Sequence, residues 1–167
     1  RDHRHFAFAA LALASFDALS IPATGRILPD EAVIVCARLQ IAAAALHGWA
    51  WLEYTSALLG RPWSRADRAL TAFLGAVTVV GISTPLLVGG PVETRGVPLL
   101  GAVYRIHDVT AAGLVAAVAI LGVLLVPVAR LLKACRLRVA GARVQLLGLA
   151  TLLAMGVHDA LVSGRLV

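Results

Sequence analysis

Twenty-one consecutive residues, Val109 to Ala129 (VTAAGLVAAVAILGVLLVPVA), carry no charge. At ~1.5 Å per residue, a helix of about 20 apolar residues spans the ~30 Å hydrocarbon core of a bilayer. In water such a helix must be buried on every side, which a chain of 167 residues can hardly arrange. Its flanks differ: Arg105-Ile106-His107-Asp108 precedes it, whereas Arg130, Lys133, Arg136 and Arg138 follow it. Lys and Arg gather on the cytoplasmic side of membrane helices, so the C-terminal end of this run is expected to face the cytoplasm.

Four further apolar runs surround it, and the expected fold class is an all-α polytopic transmembrane helical bundle of about five spans, 6–21, 31–59, 66–88, 105–130 and 142–162, forming a single domain over 1–167. The first follows the basic opening Arg1-Asp2-His3-Arg4-His5 and ends at Pro22 and Gly25. The second starts at Asp30-Glu31, acids suited to a helix N-terminus, and closes at Gly60-Arg61-Pro62. The third is kinked or ended by Pro85, and Gly89 to Leu100, with two prolines and three glycines, reads as a loop. The opening at Arg1, without Met and without a signal-peptide pattern, suggests a piece of a longer protein.

Charge placement orients the spans. Ten Lys/Arg (Arg1, Arg4, Arg61, Arg65, Arg68, Arg130, Lys133, Arg136, Arg138, Arg143) fall on one side and four (Arg26, Arg95, Arg105, Arg165) on the other, which puts the segment's N-terminus in the cytoplasm. Trp49, Trp51, Tyr54 and Trp63 are expected as an aromatic belt at the inner interface. Composition agrees: 60% hydrophobic, 14% charged and a mean hydropathy of +0.88, against about 45–50% and about 25% in soluble domains. The net charge of +6 sits in short connections between apolar runs, an orientation signal rather than a nucleic-acid footprint. Cys36 and Cys135 fall at opposite faces, so they are not expected to pair, and neither has a metal-type spacing.

Ionisable groups at bilayer depth cost at least ~2.5–3.5 kcal/mol, so each needs a reason. Asp17, Arg38, Gln40, His107, Asp108, His158 and Asp159 all map towards the outer ends of their helices and are the candidate polar network or ligand site. Two readings stand side by side. The groups line a pocket for a small molecule or proton, or they only pair with one another, Arg38 with Asp17 or Asp159. Metal binding is disfavoured because adjacent His-Asp side chains diverge by ~100° on a helix, leaving one ligand per dipeptide. His47, six residues from Glu53 and beside the tryptophans, reads as interfacial packing. Ala111-Ala112-Gly113 with Ala116-Ala117 is a small-residue face for close packing, within the monomer or in a homodimer. Gly-rich phosphate loops, HExxH, GxSxG and paired-cysteine motifs do not occur, so no catalytic residue, cofactor or metal is assigned.

The run from Leu146 through His158, Asp159, Leu161 and Val162 resembles the sixth helix of the seven-helix membrane region of bacterial receptors with diverse intracellular signalling modules. The opening Arg4-His5-Phe6-Ala7-Phe8-Ala9-Ala10-Leu11 is similar to the start of that region's second helix, and Trp49 to Tyr54 with Leu58-Leu59 suits its third. The resemblance implies helices two to six of a sensory domain in the bacterial inner membrane. Its histidine kinase or diguanylate cyclase output would lie C-terminally, outside this sequence. Arg38 would then contact an anionic stimulus, or the two histidines would sense pH. The rival expectation is a small polytopic membrane enzyme or transporter using the same charged site. A transporter would call for broken helices and an internal repeat, neither of which is evident.

Overall fold

The computed structural model describes residues 2–21, 28–97 and 102–163; most of the expected first loop, residues 98–101 and the two ends lie outside them. Seven elements follow in order: α1 (Asp2–Ser20), α2 (Asp30–Leu58), α3 (Arg65–Ser83), β1 (Val88–Val97), β2 (Ala102–Val109), α4 (Ala111–Arg136) and α5 (Ala142–Ser163). The architecture is mostly helical, and α2, α3 and α4 are each long and apolar enough to cross a membrane.

Local chemistry sets most helix ends. Pro29, extended, precedes α2, whose first turn holds Asp30 and Glu31 against the positive end of the helix dipole. Ser64 and Asp67 form a reciprocal capping box at the start of α3. Thr84, extended because Pro85 follows, ends that helix. Thr110 caps α4 by accepting a hydrogen bond from the Gly113 amide at 3.0 Å.

The expected loop after α3 is instead one strand of an antiparallel hairpin, and the all-α expectation is corrected accordingly. β1 pairs with β2 in a register that sets Val92 opposite His107 and Thr94 opposite Arg105, with an irregularity between Val88 and Val92. Gly90, at φ 84°, and Pro91 sit in that irregularity, where a proline removes no ladder bond. Consequently α4 starts at Ala111 rather than at 105, and His107-Asp108 belongs to a strand instead of a helix start.

A lone hairpin is marginal in water, so its anchors matter. Leu87 and Val88 are buried, and the Thr110 hydroxyl donates to the Leu86 carbonyl at 2.6 Å. Arg105, buried on β2, donates to the Leu28 carbonyl and to Asp30 at the N-terminus of α2. Removing this tie in Arg105→Leu is expected to speed amide exchange over 103–109 by at least about tenfold, since a hydrogen bond to a charged group is worth that much or more. Unchanged exchange would mean that the burial of Leu87 and Val88 and the Thr110 bonds hold the hairpin without Arg105.

α2 is central, packing against α1, α3 and α4, while α5 lies on α4. One core cluster joins α2, α3 and α4 through Leu52, Leu74, Val77, Ile120 and Val123. A second joins α1, α2, α4 and α5 through Ala9, Trp51, Tyr54, Leu124, Leu131 and Leu149. The outer faces are apolar too: Val115 is 69% exposed, Leu147 70% and Val144 76%. Contiguous apolar surface of this kind is what lipid tails accept and water does not.

The aromatic belt expected at the inner interface dissolves in part. Trp51 and Tyr54 are buried and pack edge-on, with ring centroids 5.6 Å apart, against Phe6 of α1. They seal a helix interface because α1 covers the face of α2 that carries them. Gly113, from the expected small-residue face, is likewise occupied within the monomer, beneath Leu87.

Candidate functional site

Small side chains on facing helices leave space that no neighbour fills. Ala37 and Ala44 of α2, Gly113 and Ala117 of α4, and Gly156 of α5 surround a cavity of about 220 Å³. Phe16 of α1 and His107 of β2 complete its wall, so the hairpin closes it at one end. An adjoining space of about 140 Å³ shares Phe16, Ala44, Ile120, Leu121 and Gly156 and reaches Asp17, His47 and Met155. The lining is overwhelmingly apolar, with Gln40 and His107 as the polar groups of the larger chamber. A compact apolar molecule with one polar end matches such a wall.

The sequence-expected cluster is thus partly assembled. Gln40 and His107 share the main cavity, and the Gln40 amide donates to the Phe16 carbonyl at 3.3 Å. Asp17 lines the adjoining chamber from an exposed position on α1. Arg38 lines neither chamber. Its carbonyl faces Gly81 of α3, and its Nε is buried without a hydrogen-bond partner among the described residues. Asp108 packs against Gly90 across the hairpin, and His158 is exposed on α5. The side chain of Asp159 lies outside the described residues. Among those residues no three His, Cys, Asp or Glu groups converge as a metal site, and Cys36 and Cys135 are free thiols.

His47 is committed to structure. Its Nδ1 donates to the Ala9 carbonyl at 2.8 Å, and its Nε2 accepts from the Trp51 indole at 2.9 Å. A carbonyl cannot donate and an indole N–H cannot accept, so the ring is the neutral Nδ1–H tautomer. It ties α1 to α2 and has no free nitrogen for proton transfer.

His107 stands outside the helices, and burial pushes its pKa below the ordinary 6.5 while the Asp108 carboxylate pulls it partly back up. The folded chain therefore resists a proton that the unfolded chain accepts, and this contribution to stability is full above about pH 6.5 and declines as the pH falls. Thermal unfolding of the parent chain and of His107→Gln between pH 7.5 and 5 is expected to diverge in that direction, the parent losing more on acidification. Parallel curves would remove His107 as a buried titrating group.

A second polar centre escaped the sequence reading. Arg130, counted there among the loop cations, lies inside α4 and is buried, and its guanidinium pairs with Asp67 of α3. Its Nη1 also donates to the Leu52 carbonyl at 3.0 Å and to the Ser56 hydroxyl at 2.8 Å on α2. Asp67 in turn accepts from the Ser64 amide and hydroxyl, both at 2.9 Å. Three helices are clasped by one ion pair, with the carboxylate at the N-terminus of α3 and the guanidinium near the C-terminus of α2, as the helix dipoles favour. The Ser64-x-x-Asp67 capping pattern was the available signal for one half of it. Comparison of the chain with family models, with curated proteins and with solved structures finds no match.

Proposed function

We propose that this chain is the membrane-embedded sensory and transmitting domain of a bacterial signalling receptor, a bundle of five spans in the inner membrane with its N-terminal end cytoplasmic. The observation that carries the reading is the apolar cavity beneath the hairpin, whose wall is shared by α1, α2, α4, α5 and β2. A stimulus seated there touches every helix except α3. It biases the bundle only insofar as it binds one packing better than another. The α2–α3–α4 clasp at Arg130, with α1 held to α2 through His47 and Gln40, makes those four helices the frame, and α5, which lies on α4, is the element that shifts against it. The shift passes to a cytoplasmic output domain, of histidine kinase or diguanylate cyclase type.

The test is made on the whole encoded protein. The reading frame beyond Val167 is expected to supply one further apolar span and then a kinase or cyclase domain. In that protein Ala117→Phe, which fills the cavity from α4, is expected to change output activity by at least about fivefold, the low end of typical coupling energies. A stop codon directly after Val167, or output indifferent to a filled cavity, would overturn the receptor reading in favour of a small membrane enzyme or transporter.

A further inference from the structure

At the opposite end of the bundle from the hairpin, a crevice of about 480 Å³ opens between α4 and the turn that follows α2. Its lining divides by chemistry. Arg61 and Lys133, both exposed, stand at its mouth, and Arg130 is its floor. Leu125, Val126 and Ala129 continue the wall along α4, so that eight residues, about 12 Å of helix, separate Leu125 from Lys133. Among the described residues no acidic side chain lines it. Asp67 lies behind the Arg130 guanidinium, with one carboxylate oxygen on Arg130 and the other on Ser64. The Arg130 side chain is 94% buried, yet its Nε has no partner among the described residues. Asp67 balances the charge of Arg130, which leaves the charges of Arg61 and Lys133 without a counter-ion in the crevice among the described residues.

We propose that this crevice holds an anionic phospholipid of the surrounding bilayer. The phosphodiester would sit between Arg61 and Lys133, over the Arg130 floor, and an acyl chain would lie along Leu125, Val126 and Ala129. A cationic end joined to an apolar groove matches a phosphate joined to a hydrocarbon tail, and matches neither a free phosphate nor a neutral lipid. Basic pockets between membrane helices on the cytoplasmic side are suited to such headgroups, and this crevice lies on the Lys/Arg-rich side. The inference rests on membrane insertion of the chain and is independent of its role as a sensor.

The test uses the purified chain in nanodiscs of phosphatidylcholine, alone or with phosphatidylglycerol, and native mass spectrometry to count retained lipid. The parent is expected to retain phosphatidylglycerol in preference to phosphatidylcholine. Arg61→Gln/Lys133→Gln, altered only at exposed positions, is expected to bind it about 25-fold more weakly, two surface cations' worth of attraction. Arg136→Gln/Arg143→Gln removes two equally exposed cations outside the crevice and is expected to stay within about twofold of the parent on the same scale. Equal losses in both double variants, or no lipid preference in the parent, would overturn the site. Displacement of the lipid by inorganic phosphate at matched concentration would overturn the lipid in favour of a soluble anion. Failure of the chain to enter nanodiscs would overturn the membrane reading beneath it.

Discussion

Asp67→Asn is expected to destabilise the chain by about 3–5 kcal/mol, because it leaves the Arg130 guanidinium charged, buried and without its counter-ion. The two hydrogen bonds that Arg130 makes to Leu52 and Ser56 would remain, but neutral acceptors do not balance a charge. Arg130→Leu should cost a similar amount by stranding the carboxylate, although the Ser64 cap softens that loss. The informative variant is the double replacement Asp67→Leu/Arg130→Leu. Buried ion pairs exchanged for apolar side chains of similar size are often neutral in stability, so most of the loss should return. Thermal unfolding in detergent reads this directly, with a fall on the order of 10 °C in either single variant. A single variant as stable as the parent would show that the clasp contributes nothing; a double variant as weak as the singles would show that the hydrogen bonds to α2, rather than the charge balance, hold the three helices.

Gly113→Ala should be nearly as damaging, for a steric reason. A Cβ built at this position overlaps the Leu87 carbonyl oxygen and lies 2.9 Å from both the Leu87 carbonyl carbon and Val109 Cγ1. Two of these three atoms are backbone and cannot swing aside. Leu87 is also held, its carbonyl accepting from the Thr110 amide at 3.3 Å and the Thr110 hydroxyl at 3.2 Å. One methyl must therefore lift the hairpin from α4 or break the cap of that helix. Overpacking usually costs about 1–3 kcal/mol, and the immobility of the obstacle puts this site at the upper end or beyond. Gly122, on the same helix with nothing within 4 Å of a Cβ, supplies the comparison. Gly122→Ala should be neutral or stabilising by up to about 1 kcal/mol through helix propensity. Equal behaviour of the two variants in unfolding and in hairpin amide exchange would mean that the hairpin does not sit on α4 as closely as described.

Much of the helical scaffold was legible from residue order. The apolar runs coincide with α1, α2, α3 and α5 to within a few residues, and Pro62 and Pro85 lie beyond the helix ends as their missing amide requires. The hairpin was not legible: Gly89, Gly90 and Pro91 are loop formers by local preference, and only pairing with β2 turns their neighbours into a strand. The site was legible in composition but not in grouping. Gln40 and His107 meet in one cavity, yet Arg38, two positions from Gln40, lines neither chamber because successive helical positions turn by ~100°.

Residue order alone settled what depends on neighbours along the chain: apolar helices of bilayer length and their caps. Tertiary structure decided which polar groups meet. Arg130 finds Asp67 across 63 positions and Arg105 finds Asp30 across 75. Hydropathy and periodicity act over a few residues, so they report that a charge is costly at a given depth but carry no record of the distant group that offsets it.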